Sequence, residues 1–278
     1  MNRGSIRTIA VHLPTADLCR RLLDVAVPLA QAHDALLVGV HVIPTVVVFA
    51  DATISMSGDY IMAQQDAFRE DANAVRQAFS SSAEATGLDS VWSEADPGGD
   101  PVMRAAASCC NTADLVVASQ AHPSIPAASG YGPDELVLGT GRPVLIVPTS
   151  GDVRPMGRRV VVGWNGSREA ARATFDVLPL LAPEAEVKLV AVDSARGADT
   201  MRAATRALTR HGVSVEAANV SRSGGRNVAE EILRIAAEGD ADLLVLGCYG
   251  HSRLRETVFG GATKRILRDM TLPILMAH

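Results

Sequence analysis

The chain has 278 residues, a formal net charge of −5, and a composition that is 47% hydrophobic but only 4% aromatic. That length suits two domains, each able to bury a core, and the acidic balance excludes the basic footprint of a nucleic-acid binder. Its four cysteines, Cys19, Cys109, Cys110 and Cys248, have no metal-ligand spacing. Adjacent Cys109 and Cys110 make an awkward disulfide, so a reducing cytoplasm is the expected compartment. The N-terminus lacks the apolar core of a signal peptide. The longest apolar region, Ala35 to Ala50, is interrupted by His41 and Pro44 and is too short for a bilayer. A soluble cytoplasmic protein that engages neither membrane nor nucleic acid is the expectation.

In chain order, the same run of elements is met twice. Thr8 to Leu13 reads as an opening strand, Thr15 to Ala30 as a helix, and Leu37 to Ile43 as a second strand. Extra residues follow within Thr45 to Gln65, and a long helix is expected from about Tyr60 to Thr86. Val46 to Phe49, Ile54, Met56 and Ile61 make that insertion too apolar for an idle loop. It either packs on its own domain or covers the other half, a partner subunit or an apolar ligand. Pro101 to Cys110 reads as a helix, Ala113 to Val117 as a fourth strand and Arg142 to Val147 as the last. Pro148 to Gly157 is rich in Pro, Gly and Ser and reads as a linker, giving expected domains of 1–152 and 153–278.

The second half repeats the pattern. Arg159 to Trp164 and Val187 to Asp193 match the first two strands, Ala241-Asp242-Leu243 matches Ala113-Asp114-Leu115, and Leu272 to Ala277 matches Arg142 to Val147. Ser167 is placed to cap a helix through Ala170, Thr174, Val177, Leu178 and Leu181. Asn227, with Glu230 three residues on, opens another carrying Val228, Ile232 and Ile235. Alternating strands and helices with long crossovers give a parallel sheet in each half.

The apolar run Leu243 to Leu246 ends in Gly247; Gly250 follows, then nine residues without Gly or Pro, then Gly260-Gly261, Ala262 and Thr263. A strand that empties into glycines before a helix start can cradle phosphate, because glycine admits close backbone approach and helix-start N–H groups point at anions. The spacing Gly-x2-Gly-x9-Gly resembles the nucleotide-binding motif of the universal stress protein family, with Gly247, Gly250 and Gly260 as its glycines. Where the family has Ser or Thr after the third glycine, this chain has Gly261, and where many nucleotide-binding members have Asp it has Asn165.

The resemblance implies an α/β fold of two tandem doubly wound domains. Each would be a five-stranded parallel sheet in the order 3-2-1-4-5 with helices on both faces. It implies ATP with Mg²⁺ carried through the phosphates. The nucleoside would lie near Asn165 and Val192, and the triphosphate over Gly250, Ser252, Arg253 and the helix start at Gly260-Gly261, with Ala262 and Thr263 beside it. The residues themselves leave Asn165 open to capping a helix with Ser167, and His251-Ser252-Arg253 open to being a solvated loop. Family members pair through their last strands, so the resemblance also implies an internal pseudo-dimer, with homodimers as a further possibility.

The first half departs from the motif. Ser119 and His122 stand where the second half has Gly247 and Gly250, Tyr131 stands opposite Gly261, and Pro14 opposite Asn165. It is expected not to bind a triphosphate. Three function classes follow: a stress-response protein whose ATP occupancy acts as sensor or switch, an interaction protein without nucleotide, and an enzyme. The enzyme class is weakest. Ser223-Gly224-Gly225 follows a third strand instead of a first, no His-x-Gly-His occurs, and neither first strand carries Gly-x-Gly-x-x-Gly. A slow ATPase is the most that is expected, with no catalytic base evident.

Overall fold

A computed structural model describes residues 5–44, 58–98, 100–125, 131–222, 224–248 and 256–278, with the side chains of 256–260 excepted. By contacts the chain forms two compact units, one of Arg7–Thr140 and one of Gly141–His278 with the described residues ahead of Arg7. The dividing point precedes the Pro148 to Gly157 stretch that reads as a linker.

The first unit runs β1 (Thr8–His12), α1 (Ala16–His33), β2 (Leu36–Val42), α2 (Gly58–Thr86), β3 (Ser90–Ala95), α3 (Val102–Cys110), β4 (Leu115–Ser119) and α4 (Pro133–Thr140). Its strands lie in the order β3-β2-β1-β4, all parallel. Thr8 faces Leu36 on one side of β1, and Ile9 faces Leu115 on the other. α1 packs on α2 and α3 on α4, as right-handed crossovers on opposite faces require. The apolar insertion residues Val46 to Phe49, Ile54 and Met56 lie outside the described residues.

The second unit runs β5 (Val144–Val147), β6 (Arg159–Gly163), α5 (Arg168–Asp176), β7 (Glu186–Val192), α6 (Ala195–Arg210), β8 (Ser214–Val220), α7 (Val228–Glu238), β9 (Leu243–Gly247), α8 (Glu256–Asp269) and β10 (Ile274–Ala277). The second repeat has the complete order 3-2-1-4-5, as β8-β7-β6-β9-β10, with every pairing parallel. β5, the last strand of the first repeat, pairs antiparallel with β10 and places Leu145 opposite Leu275. The expected internal pairing of the two last strands is therefore present, and each covers an edge the other would leave bare.

Local chemistry explains where the helices begin. Ser167 Oγ accepts from Ala170 N at 3.1 Å and Ser194 Oγ from Gly197 N at 3.0 Å. Asn227 and Glu230 form a reciprocal capping box at 3.0 and 2.9 Å. α5 is shorter than its periodicity suggests. It ends at Asp176, and Leu178–Leu180 continues as one 3-10 turn, where Pro179 cannot donate to the α-helical ladder.

The strands that meet at each reversal of chain order are tied at their starts. Asp114, at the entry to β4, accepts from the N–H groups of Arg7 and Thr8 at 2.8 and 3.0 Å. Asp242, at the entry to β9, accepts from those of Gly157, Arg158 and Arg159. Gly157 has φ +92°, and an added Cβ would lie 2.1 Å from the Leu180 carbonyl oxygen, so no other residue fits there.

Because β5 and β10 belong to one chain and one unit, cysteines at Leu145 and Leu275 should crosslink within the monomer when refolded under oxidising conditions. Non-reducing electrophoresis checks this. Crosslinking only between chains would mean that the last strands are exchanged.

Candidate functional site

In a doubly wound sheet, ligands bind beyond the carboxyl ends of the strands where chain order reverses. In the second unit that point lies between β6 and β9, and the residues there are packed closely. An added Cβ at Gly163 would lie 2.5 Å from Leu246 Cδ2. At Gly247 it would lie 2.4 Å from Ala170 N and 2.6 Å from Glu169 C, because the first turn of α5 rests on the end of β9. Gly247 thus has a packing reason to be glycine, independent of any ligand.

The side expected to hold a nucleoside is equally tight. Gly166 has φ +72° and faces Thr200 and Arg196 of α6, and an added Cβ at Gly197 would lie 2.8 Å from the Trp164 carbonyl oxygen. The Trp164 indole is buried and donates to Thr200 Oγ1 at 2.9 Å. Asn165 is exposed; its Oδ1 accepts from Ser167 N at 3.0 Å, a bond that does not use its amide NH₂ donors. Val192 is buried as the last residue of β7. After it, Asp193 takes φ +43°, donates its N–H to Val220 O at 3.0 Å, and forms an ion pair with Arg222. The hydrogen bond from Arg222 holds the Asp193 carboxyl below its ordinary range.

Sequence reasoning missed Glu169. Its carboxylate is only 3% exposed at the first turn of α5. Oε1 accepts from Arg168, while Oε2 is buried without a partner. Burial opposes its charge, but hydrogen bonding, first of all from Arg168, outweighs that and lowers its pKa. An exposed-looking Arg-Glu pair in the first turn of a helix carries no signal of this burial.

The phosphate side differs from expectation in one respect. Gly260 and Gly261 are not a helix start: α8 begins at Glu256, and both glycines lie within it. Gly261 is exposed with open space around its Cα, and Ala262 and Thr263 are half-buried beside it. Gly250, Ser252 and Arg253 lie outside the described residues. Asn165, Gly247 and the α5 N-terminus are therefore brought together at one reversal point, with Val192 one strand away. Among the described residues, no group of three or more His, Cys, Asp or Glu side chains could hold a metal ion.

In the first unit the corresponding strand ends are filled by rings. The His12 imidazole stacks on Tyr131, 5.7 Å between centroids and 9° between planes, and the Tyr131 hydroxyl donates to Ser119 O at 2.5 Å. His122 Nδ1 and the Ser124 hydroxyl lie 2.8 Å apart. Where the second repeat has Gly247 and Gly250, the first has Ser119 and His122.

Burial, with a smaller contribution from the neighbouring His41 ring, lowers the His12 pKa from 6.5 to about 3. The unfolded chain takes up that proton near pH 6.5. Between the two values the unfolded state binds more protons, so stability should fall as pH drops below 6.5, by at most about 1.4 kcal/mol per pH unit. His12→Phe keeps a ring against Tyr131 and should flatten part of this slope in urea unfolding between pH 7 and 4.5. Parallel profiles for the two proteins would contradict the buried neutral imidazole.

Comparisons with known proteins agree with this architecture. The universal stress protein family model matches residues 156–278. Universal stress protein Slr1230 from Synechocystis sp. is 41% identical over 46 residues, a match that spans 16% of this chain and 16% of that protein. Among solved structures, a universal stress protein from Archaeoglobus fulgidus superposes with a TM-score of 0.72 at 15% identity, covering 98% of this chain and 96% of that one. A functionally unknown protein from Pseudomonas aeruginosa, PA1789, gives a TM-score of 0.55 at 16% identity, covering 99% and 93%. At these identities the structural likenesses establish the fold. No described helix is long and apolar enough to cross a membrane.

Proposed function

We propose, from the match of residues 156–278 to the universal stress protein family model, that the chain is a cytoplasmic stress-response protein that binds ATP in its second repeat, with nucleotide occupancy acting as a sensor or switch. The observation that carries this reading is the reversal point between β6 and β9. There the Asn165 amide, the capped start of α5 and the strand that opens the Gly-x2-Gly-x9-Gly motif converge. Asn165 would contact the base or ribose through its free NH₂, and the end of β7 at Val192 would border the nucleoside. The backbone around Gly250 would approach the phosphates, with Ser252, Arg253, Ala262 and Thr263 beside them, and Mg²⁺ would be held through the phosphate oxygens.

The residues fit this ligand in part. Donors and close backbone are present, but the glycine pair Gly260-Gly261 sits inside α8, and the Oδ1 atom of Asn165 is already engaged. These two observations favour the second reading, an interaction protein of the same fold that binds no nucleotide.

Calorimetry with Mg-ATP separates the two. On the proposed reading one ATP binds per chain. Gly250→Val places a branched side chain where phosphate meets backbone and should abolish binding while the fold survives, whereas replacing His122 should leave stoichiometry unchanged. Equal affinity of wild type and Gly250→Val would overturn the placement.

Turnover should be very slow. Hydrolysis needs a water, a group to orient it and stabilisation of charge on the γ-phosphate. Asn165 cannot act as a base, and Glu169 is buried at the first turn of α5 with Oε1 bonded to Arg168. Nucleotide should co-purify largely as ATP, with turnover orders of magnitude below about 1 to 1000 per second. A rate near one per second, lost in Glu256→Gln with affinity retained, would make this an enzyme.

A further inference from the structure

The exit of β9 is held by a side chain where a sheet ordinarily uses main chain. Ala277 of β10 pairs with Gly247, and the Cys248 N–H donates to Ala277 O at 2.8 Å. In a continuing parallel ladder the Cys248 carbonyl would take its bond from the main chain of the same neighbour. Instead it lies 2.9 Å from His278 Nδ1. A carbonyl only accepts, so Nδ1 carries the proton and the half-buried imidazole is the donor.

A second side chain steadies the first. Arg172, one turn into α5, donates through Nη1 to the His278 backbone oxygen at 3.1 Å and through Nη2 to the Gly141 carbonyl. Its Nε stands 3.5 Å from the Asp176 carboxylate. All three nitrogens of one planar guanidinium therefore face an oxygen, which a lysine ammonium on its flexible stem cannot reproduce.

The Cys248 oxygen belongs to the planar unit that joins this residue to the next, so holding the oxygen fixes the direction in which the chain leaves β9. Gly250 stands two positions further on. β10 already pairs with β9 from Ile274 to Ala277, so the strands do not need this bond to stay together. It adds orientation more than cohesion. The first repeat, which lacks the glycine motif, also lacks the latch. Aligned through the matching strands, Gln120 stands where Cys248 does and Pro148 where His278 does. The Gln120 oxygen accepts from Ser119 Oγ at 2.7 Å.

We propose that His278 is a positioning residue for the nucleotide site of the second repeat. Its imidazole, steadied by Arg172, sets the last peptide of β9 so that the motif opening at Gly247 presents its backbone to phosphate. This rests on the nucleotide reading above, and the test separates the two.

His278→Asn keeps an N–H donor the same number of bonds from the main chain, whereas His278→Phe keeps a ring without the donor. Mg-ATP affinity in calorimetry should fall by roughly threefold to tenfold in His278→Phe, which is what losing one hydrogen bond costs. Arg172→Lys should lose as much, and His278→Asn should stay near the wild-type value. A second readout needs no nucleotide: the rate at which iodoacetamide alkylates Cys248, followed by peptide mass spectrometry, with Cys110 as reference. Both thiols are buried. Cys248 should react faster in His278→Phe but not in His278→Asn, and Cys110 should change in neither. If the wild type binds Mg-ATP and His278→Phe binds it equally well, the positioning role falls and the nucleotide reading stands. A wild type that binds no Mg-ATP ends both. Equal losses in His278→Asn and His278→Phe, an unchanged Cys248 rate in His278→Phe, or a Cys110 rate that rises with it would also overturn the proposal, because the donor would then not be what matters.

Discussion

One carboxylate in each repeat fixes the place where chain order reverses. β1 and β4, like β6 and β9, are neighbours in the sheet although two other strands separate them in sequence. Asp114 and Asp242 sit at the entry to the later strand and gather the backbone N–H groups that open the earlier one. Hydrogen bonds from backbone to a charged acceptor are stronger than ladder bonds, and they act before the ladder begins. With the starts aligned, the four residues of pairing that follow in β6 and β9 carry both strand ends to the same level. The crevice at the far end inherits its shape from this clamp.

The two repeats use that shared frame in opposite ways. The second closes its strand ends with backbone: α5 lies on Gly247, α6 lies against Gly166, and Gly197 lets Trp164 approach. Glycine there removes side chains so that main chains can touch. The first repeat closes its strand ends with side chains, stacking His12 on Tyr131 and His41 on Trp92. A loss of glycines in the first repeat is thus accompanied by a gain of rings.

Much of the fold was legible because it rests on local chemistry. The capping box at Asn227, the cap at Ser167, the long helix before Thr86 and the two matching Ala-Asp-Leu entries each follow from a few neighbouring residues. The pairing of β5 with β10 was legible through the repeat, since two equivalent edges need a cover. The site was less so. Glycines near a strand end suggest ligand contact, yet Gly247 is required by α5, an element more than seventy positions earlier in the chain. Gly260-Gly261 looks like a boundary but lies within α8, because helix propensity penalises glycine by only about 1 kcal/mol and neighbouring contacts override it. Glu169, His12 and His41 gain their meaning from burial and partners that only the folded chain supplies.

Charge at the second crevice bears on how an anion would be accommodated there. Glu169 and Asp193 both stand near strand ends, and both have lowered pKa values, so both are carboxylates at neutral pH. Asp193 is matched by Arg222 at the end of the neighbouring strand. Arg168 meets only one oxygen of Glu169, and its own side chain is largely exposed, so solvent screens much of its field. The buried carboxylate of Glu169 therefore sets negative charge beside the first turn of α5, where the helix dipole favours an anion. On the proposed reading, a bare triphosphate entering this crevice would meet attraction from the helix start and repulsion from Glu169. A divalent cation carried on the phosphates would, on that reading, lower the net charge that the Glu169 carboxylate opposes.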